Sequence, residues 1–285
     1  MLEVSVSGYY QWRKRQRVRQ AGSEPSRRRR ENEQLLDKIR VIHQESLGTY
    51  GSPRVHAELR AQGECCSRAR VERLMQRHAI QGKCKRRRPT PVTTDANHRL
   101  PVAANRLNQE FTAAQPNEKW VADITYIPTA EGWLYLAVVL DLFSRKVVGW
   151  AMDATMTTQL IERALRAALK TRRPAQPAGQ TPSLLHHSDR GSQYASYAYQ
   201  ALLATNHVQP SMSRTGVCYD NAVAESFFAT LKAERIHDQR YRSRTEARHD
   251  IFHYIESFYN RRRRHSTLGF LSPDEFERRH KDALI

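Results

Sequence analysis

Three closely spaced apolar runs in the middle of the chain predict three β-strands. The first covers residues 120–127, is rich in β-branched and aromatic residues, and is bounded by Pro116 and Pro128. The second, residues 133–143, is more apolar still, and the third covers residues 146–152. The links between the runs are too short for a crossover helix, so an antiparallel meander is expected, with its second strand buried on both faces.

A fourth apolar run and a helical segment follow. The run covers residues 183–188 and ends just before Asp189, which places that carboxylate at the carboxyl end of a predicted strand, where open α/β sheets bind ligands. Further on, Asp220 or Asn221 is expected to cap a helix over residues 222–232. On that helix Glu225 and Lys232 share one face, two turns apart.

The first third of the chain has helical spacing instead. Apolar residues recur after Arg30, and Ser52 with Pro53 is expected to begin a second short helix. Ser67 is expected to cap a third helix, with basic residues on its other faces. The positions expected to face inward are Leu35, Leu36, Ile39, Ile42, His43, Val55, Leu59, Val71, Leu74 and Met75. This layout is typical of a helix-turn-helix that binds DNA, and the alternative is a three-helix packing module without DNA contact.

Two further segments have simple interpretations. Residues 82–116 are basic at first, bear prolines and become polar, as expected of a linker that can follow a phosphate backbone. Residues 245–264 predict an amphipathic helix whose apolar stripe packs on the sheet. The arginines at its end, residues 261–264, are expected to offset the helix dipole and also to contact DNA.

Charge is concentrated at the amino-terminal end. The 285-residue chain has a net charge of +18, and residues 1–100 hold 23 basic and 10 acidic side chains, the electrostatic footprint of phosphate binding. The run of residues 27–30 fits either such a footprint or a disordered basic linker.

Other sequence features bear on the cellular compartment and on metals. No segment has 18 consecutive apolar residues and no signal peptide precedes the body, so a soluble, cytoplasmic protein without membrane contact is expected. Cys65, Cys66, Cys84 and Cys218 lack metal-ligand spacing, which predicts free thiols and no structural zinc.

Three carboxylates are candidates for metal-dependent phosphoryl transfer. Asp123 lies in mid-strand, Asp189 at a strand end, and Glu225 on a helix, with 35 residues between Asp189 and Glu225. Mg²⁺ takes oxygen ligands, and two ions shared by three carboxylates can activate an attacking oxygen and stabilise a leaving one. A lone glutamate on such a helix is more often only a surface acid. Asp141, in the more buried second strand, is interpreted as structural.

Four segments together resemble a known family. Residues 120–126, 140–150, 187–194 and 220–228 look like the integrase-core signatures of bacterial insertion-sequence transposases. More narrowly, they resemble the second-frame product, OrfB, of two-frame insertion sequences related to retroviral integrases. Residues 259–273 resemble that family's closing motif, and the match runs from about Ser7 to Glu277.

The resemblance implies an α/β, RNase H-like fold, with a mixed five-stranded sheet and flanking helices, preceded by an all-α helix-turn-helix domain. The domains expected are a basic segment (1–30), the DNA-binding domain (31–81), the linker (82–116) and the catalytic core (117–285). The resemblance also implies two Mg²⁺ ions, replaceable by Mn²⁺, and DNA strand transfer by Asp123, Asp189 and Glu225. The residues expected to bind DNA are Lys232, at the transposon end, and Arg54, Arg68, Arg70, Arg73 and Arg77. His187, Gly191, Ser192, Gln193 and Asn221 match motif positions without an assigned metal role, and His187 is interpreted as a packed or hydrogen-bonded histidine.

The expected partners are double-stranded DNA, as transposon ends and as target, and further copies of the chain on that DNA. The family's working enzyme is usually a fusion with an upstream helix-turn-helix and coiled coil, and no heptad run precedes Ser7, so the upstream-frame product is a further expected partner. Two alternatives remain open: a catalytically silent DNA-binding regulator, and an RNase H-like nuclease without strand transfer. A tyrosine recombinase is a weaker rival, because no tyrosine is set among arginine and histidine.

Overall fold

The computed structural model describes residues 5–20, 26–83, 98–174, 184–215 and 218–283. The chain separates into two units, Met1–Gly82 and Lys83–Ile285.

The first unit is helical. Its helices are α1 (Val6–Gln20), α2 (Arg27–Glu45), α3 (Ser52–Ala61) and α4 (Arg68–Arg77), and α2, α3 and α4 pack on one another. The apolar positions predicted from helical spacing are buried, and they are Leu35, Leu36, Ile39, Ile42, Val55, Leu59, Val71, Leu74 and Met75. The predicted inward faces of these three helices are therefore confirmed, except that His43 is only partly buried.

Helix beginnings in this unit were predicted only in part. Ser67 caps α4 as expected, because its side chain accepts a hydrogen bond from the backbone N–H of Arg70. Gly51 is the N-cap of α3, and Ser52 is the first residue of the helix. Helix α1 was not predicted, since its aromatic residues are exposed and give no apolar stripe.

The basic run of residues 27–30 is the first turn of α2, so its interpretation as a disordered linker is wrong. Arg27 and Arg29 each donate to a glutamate one turn further on, Glu31 and Glu33, with 3.0 Å between nitrogen and oxygen. Such i,i+4 pairs reduce the repulsion between neighbouring arginines and support the helix.

The second unit contains the mixed five-stranded sheet that was predicted. Its strands are β1 (Lys119–Thr129), β2 (Gly132–Asp141), β3 (Val147–Asp153), β4 (Leu184–Ser188) and β5 (Val208–Met212). The order is β3-β2-β1-β4-β5, with β1, β2 and β3 antiparallel and β1, β4 and β5 parallel. The meander of the first three strands and the RNase H-like fold are confirmed.

Helices cover the sheet. Helices α5 (Thr158–Arg172), α6 (Ser192–Ala195) and α7 (Tyr197–Thr205) share one core with alternate residues of the strands. Helices α8 (Ala222–Glu234) and α9 (Arg244–Phe252) contact β1, and α9 also contacts β2. A π-helical segment (His253–Tyr259) continues α9, and α10 (Pro273–Asp282) follows. Short 3₁₀ turns lie at Cys218–Asn221, Ile236–Asp238 and Ser266–Leu268.

Gly149 shows how closely α5 lies on the sheet. A Cβ atom at this position would be 2.3 Å from the carbonyl oxygen of Ala164 and 2.6 Å from the backbone nitrogen of Ala168. No real side chain fits in that space, so the glycine permits direct contact between the backbones of β3 and α5.

The predicted amphipathic helix is confirmed in its packing but is shorter than expected. Its stripe of Ile251, Tyr254, Ile255 and Phe258 is buried. The helical segment ends at Tyr259, before the arginines that were expected at its end. Arg263 is buried as well, so its expected DNA contact is corrected: its guanidinium is used in an internal ion pair with Glu234.

Residues 98–116, which fall within the predicted linker, belong to the second unit and pack against its strand β5. Leu107 is buried, and the backbone N–H groups of Arg106 and Leu107 donate to the hydroxyl of Ser211 on β5. The side chains of Asn105 and Gln109 donate to Asp220. This segment therefore joins β5 to the turn that precedes α8.

None of the described helices is long and apolar enough to cross a membrane.

Candidate active site and DNA-binding residues

The first two candidate carboxylates come from neighbouring parallel strands. Asp123 lies in the middle of β1, and Val121 is paired with His187 of β4. Asp123 and Asp189 each follow these partners by two residues, so the register brings them side by side at the carboxyl end of β4. Both side chains are partly exposed. The structure therefore brings the two predicted aspartates together.

The turn after β4 orients Asp189. The backbone N–H of Gly191 donates to one carboxylate oxygen of Asp189 at 3.0 Å. A Cβ atom at position 191 would lie 3.1 Å from that same oxygen and 3.1 Å from the side-chain oxygen of Gln193. The glycine of this motif thus allows the turn to close tightly around the carboxylate.

The third carboxylate is supplied by helix α8. Glu225 lies in the first turn of α8 and is exposed. Asn221 occupies the N-cap position but makes no capping bond, which corrects the expected role of its side chain. Instead its Nδ2 donates to the carbonyl oxygen of Ala122, next to Asp123, at 3.1 Å. This bond ties the beginning of the Glu225 helix directly to β1.

Asp220, the alternative cap, has a different function as well. Its carboxylate is buried and accepts hydrogen bonds from Asn105, Gln109 and Arg214. These bonds hold the segment before α8 against residues 98–116. Asp220 therefore anchors this segment and does not cap the helix. Sequence reasoning missed this cluster because Asn105 and Gln109 lie more than a hundred residues before Asp220.

Electrostatics link the candidate acids. The pKa of the Asp123 carboxyl is raised well above its usual value, first by burial and then by the charge of Asp189, with a further contribution from Glu225. Burial also raises the pKa of Glu225. Like charges this close disfavour simultaneous ionisation, which is the condition that a bound cation relieves.

Lys232 belongs to the same cluster. Burial lowers the pKa of its ammonium group, and the negative charge of Asp123 opposes that effect. Its Nζ lies 4.3 Å from the ring centroid of Tyr126, which packs edge-on against Trp133. The aromatic support is a feature that sequence reasoning missed.

The described residues contain no ready-formed group of three or more His, Cys, Asp or Glu side chains close enough to hold a metal ion. Asp123 has its two acidic neighbours within electrostatic reach, but the three carboxylates do not close on a common point. Their chemistry still fits a hard divalent cation, since all three offer oxygen ligands.

Two other residues singled out from the sequence, Asp141 and His187, are buried and hydrogen-bonded within the fold. Asp141 is fully buried, and its two oxygens accept separate bonds from the backbone N–H groups of Asn117 and Phe143, as its structural interpretation requires. His187 is also buried, between the hydroxyls of Ser211 and Ser213. Burial lowers the pKa of His187 to about 4, so the imidazole is neutral near pH 7.

The arginines expected to bind DNA differ in their surroundings. On α4, Arg68, Arg73 and Arg77 are exposed, whereas Arg70 is partly buried and donates through Nε to Asn32 at 2.8 Å. Arg54, on α3, lies over the ring of Tyr50, with 5.8 Å between the guanidinium carbon and the ring centroid.

Comparisons with known proteins were made for the whole chain. Residues 113–218 match the integrase core domain, residues 206–273 match a second integrase core domain model, and residues 30–88 match an HTH-like domain. The uncharacterized 31 kDa protein of insertion element IS600 from Shigella sonnei is 46% identical over 277 residues, covering 97% of this chain and 96% of that protein.

Transposase InsF for insertion sequence IS3A from Escherichia coli (strain K12) is 44% identical over 279 residues, covering 97% of this chain and 91% of InsF. Among solved structures, the simian T-cell lymphotropic virus intasome in complex with PP2A regulatory subunit B56 gamma gives a TM-score of 0.46 at 16% sequence identity. That alignment covers 78% of this chain and 73% of the viral one.

Proposed function

The chain belongs to the family of insertion-sequence transposases that includes InsF of IS3, and we propose that it cuts and joins DNA at the ends of such an element. The reaction is a phosphoryl transfer in which Asp123, Asp189 and Glu225 are the catalytic acids. The observation that carries this proposal is the electrostatic cluster around Asp123, which combines two further carboxylates and Lys232 on an integrase core.

The carboxylate oxygens of this cluster are ligands that suit divalent cations. Three neighbouring carboxylates are a donor set suited to Mg²⁺, with Mn²⁺ as a substitute, and the pKa of Asp123 is raised first by burial and then by the charges of the other two acids. When bound, two such ions supply charge neutralisation and an activated attacking oxygen. Asp123 and Asp189, on adjacent strands, and exposed Glu225 would hold these ions.

The remaining residues position these groups and the DNA. Asn221 holds α8 on β1, and Gly191 orients Asp189. Lys232, held over the Tyr126 ring, would contact a phosphate at the transposon end. Positioning and charge neutralisation supply most of the catalysis in phosphoryl transfer, so no covalent enzyme intermediate is needed.

DNA binding by the amino-terminal unit is the second part of the proposal. The HTH-like family match and the exposed arginines of α4 support it, with Arg54, Arg68, Arg70, Arg73 and Arg77 as the candidate contacts. We propose that copies of the chain assemble on transposon ends and target DNA, together with the product of the upstream frame.

The test is metal-dependent strand joining. Short labelled duplexes with a free 3′-hydroxyl end and a supercoiled plasmid target are incubated with wild type, Asp123→Asn, Asp189→Asn or Glu225→Gln. Asp282→Asn serves as the control, because this acid is exposed at the end of α10. Wild type and the control should join DNA, and the three site variants should not, while all of them retain DNA binding.

Each alternative function has its own outcome. A site variant that joins DNA at the wild-type rate would remove that residue from the catalytic set. Cleavage without joining by wild type would favour the nuclease. Salt-sensitive DNA binding without either reaction would favour a regulator.

A further inference from the structure

A concave pocket lies between helices α2 and α4 of the amino-terminal unit. Its volume is about 240 Å³, several times that of a single water molecule. It is lined by Arg28, Asn32, Arg70, Arg73, Leu74 and Arg77. Four guanidinium groups from two helices therefore surround one cavity.

Among the described residues, three of these four arginines have no neutralising carboxylate. Arg27 and Arg29, on the same turn of α2, are paired with Glu31 and Glu33, whereas Arg28 points to the pocket. Within the described parts of the chain, no carboxylate lies within ion-pair distance of Arg28, Arg73 or Arg77. Their mutual repulsion around a shared cavity is the condition that a bound anion relieves.

Arg70 forms a fixed wall of the pocket. Its Nε donates to Asn32 at 2.8 Å, and its terminal nitrogen lies 3.6 Å from a carboxylate oxygen of Glu31. Its side chain is 29% exposed, so it is held in place and still open to the cavity. A preorganised guanidinium loses less conformational freedom on binding than a mobile one.

We propose that this pocket binds a backbone phosphate of duplex DNA and so fixes the register of the helical unit on the duplex. Guanidinium groups that converge from two helices suit a tetrahedral oxyanion, which accepts hydrogen bonds from several directions. A base edge is read instead by side chains that project from one helix into a groove. Arg54 and Arg68 lie outside this pocket, which separates them from the phosphate contact. The inference rests on the proposed DNA transposition, since it names what the helical unit holds.

The experiment measures DNA affinity against salt for the full chain, without divalent metal. Labelled duplexes of two unrelated sequences are titrated by fluorescence anisotropy. The pocket variant Arg28→Ala/Arg77→Ala is compared with the control Arg27→Ala/Arg60→Ala, which removes the same number of charges from exposed positions outside the pocket. All four side chains are exposed, so both variants should keep the wild-type circular dichroism spectrum.

The pocket variant should reduce the slope of log affinity against log salt by about 0.9, because one phosphate contact is lost. Between 0.05 and 0.2 M salt, the affinity ratio of wild type to this variant should then fall about 3.5-fold, equally for both duplexes. The control should keep a slope close to that of wild type.

Equal slopes for the two variants would overturn the inference, because diffuse charge would then explain binding. An unchanged slope with lost discrimination between the two duplexes would assign the arginines to base reading instead. Because no metal is present, these results are independent of strand joining. Wild type that joins DNA while the pocket variant keeps its slope would refute the pocket alone, whereas a reduced slope without joining would refute the catalytic proposal alone.

Discussion

The substitution Arg263→Met should strongly destabilise the second unit, because it removes one member of a buried ion pair. Arg263 and Glu234 are 4% and 5% exposed. The guanidinium donates to both carboxylate oxygens, at 2.7 and 2.6 Å, and Tyr254 donates its hydroxyl to the same carboxylate at 2.8 Å. Burial alone would lower the pKa of Arg263, but the bonds to Glu234 raise it above its usual value.

The magnitude follows from the charge that remains. Without the guanidinium, the buried carboxylate of Glu234 loses two charge-assisted hydrogen bonds, and leaving such a charge without its ion-pair partner costs about 3–5 kcal/mol of unfolding free energy. For a unit of this size, each kcal/mol shifts the melting temperature by about 2–4 °C, so a decrease of about 6–20 °C is expected. Arg261→Met is the matched control, because Arg261 is exposed and its replacement should stay within about 0.5 kcal/mol of wild type.

Urea and thermal unfolding measure the effect, and compensating changes test its cause. Replacing the whole buried pair by apolar residues is often neutral, so Arg263→Met with Glu234→Leu and Tyr254→Phe should recover most of the lost stability. If Arg263→Met were as stable as Arg261→Met, or the triple variant no better than the single one, the reasoning would fail. Normal stability with weakened DNA binding would instead restore the DNA contact expected from the sequence.

Three further predictions concern single buried groups. Asp141→Asn should lower the unfolding free energy by about 1–3 kcal/mol in urea, because the amide has one acceptor for two backbone donors, yet joining per folded molecule should be unchanged. Tyr194→Phe should raise stability by about 1 kcal/mol, since the described residues give its buried hydroxyl no hydrogen-bond partner, and a destabilised variant would reveal one. The bond from Arg214 holds the pKa of Asp220 below its unfolded value of about 3.9, so its stabilisation is complete above that pH and lost as the pH falls below it. In urea unfolding between about pH 5 and 2, Asp220→Asn should therefore lose less stability than wild type, and equal losses would contradict this.

The strands that form the sheet were predictable where local pattern and tertiary position agree. Residues of β1, β2 and β3 are apolar because both faces of the sheet are covered by helices, and short links leave only the antiparallel arrangement. Strand β5 gives no such signal: its sequence contains Gln209, Pro210 and Ser211. It lies at the edge of the sheet, where a missing backbone donor is tolerated, so only the family resemblance led to a fifth strand.

Arginine roles could not be assigned from sequence, because identical side chains differ only in what lies opposite them. Arg263 was grouped with its neighbours as a surface cation, yet its partner Glu234 is 29 residues earlier in the chain. Arg28 was part of a uniform basic run, and helical rotation alone separates it from the paired Arg27 and Arg29. The candidate acids were found more easily, since each interrupts an apolar pattern or a motif.

The elements that carry the candidate carboxylates are held together by bonds between other residues. Asp123 is destabilised as a charge by its acidic neighbours, so attraction among the acids cannot assemble the site. Neutral hydrogen bonds position these elements instead. The side chain of Asn221 joins α8 to β1, and His187 joins β4 to Ser211 on β5 and to Ser213 just after that strand. Because burial keeps His187 neutral near pH 7, these links do not change with the charge of the site. The repulsion among the acids is therefore balanced by the fold, and under the proposed function the favourable interaction with a cation would remain available for catalysis.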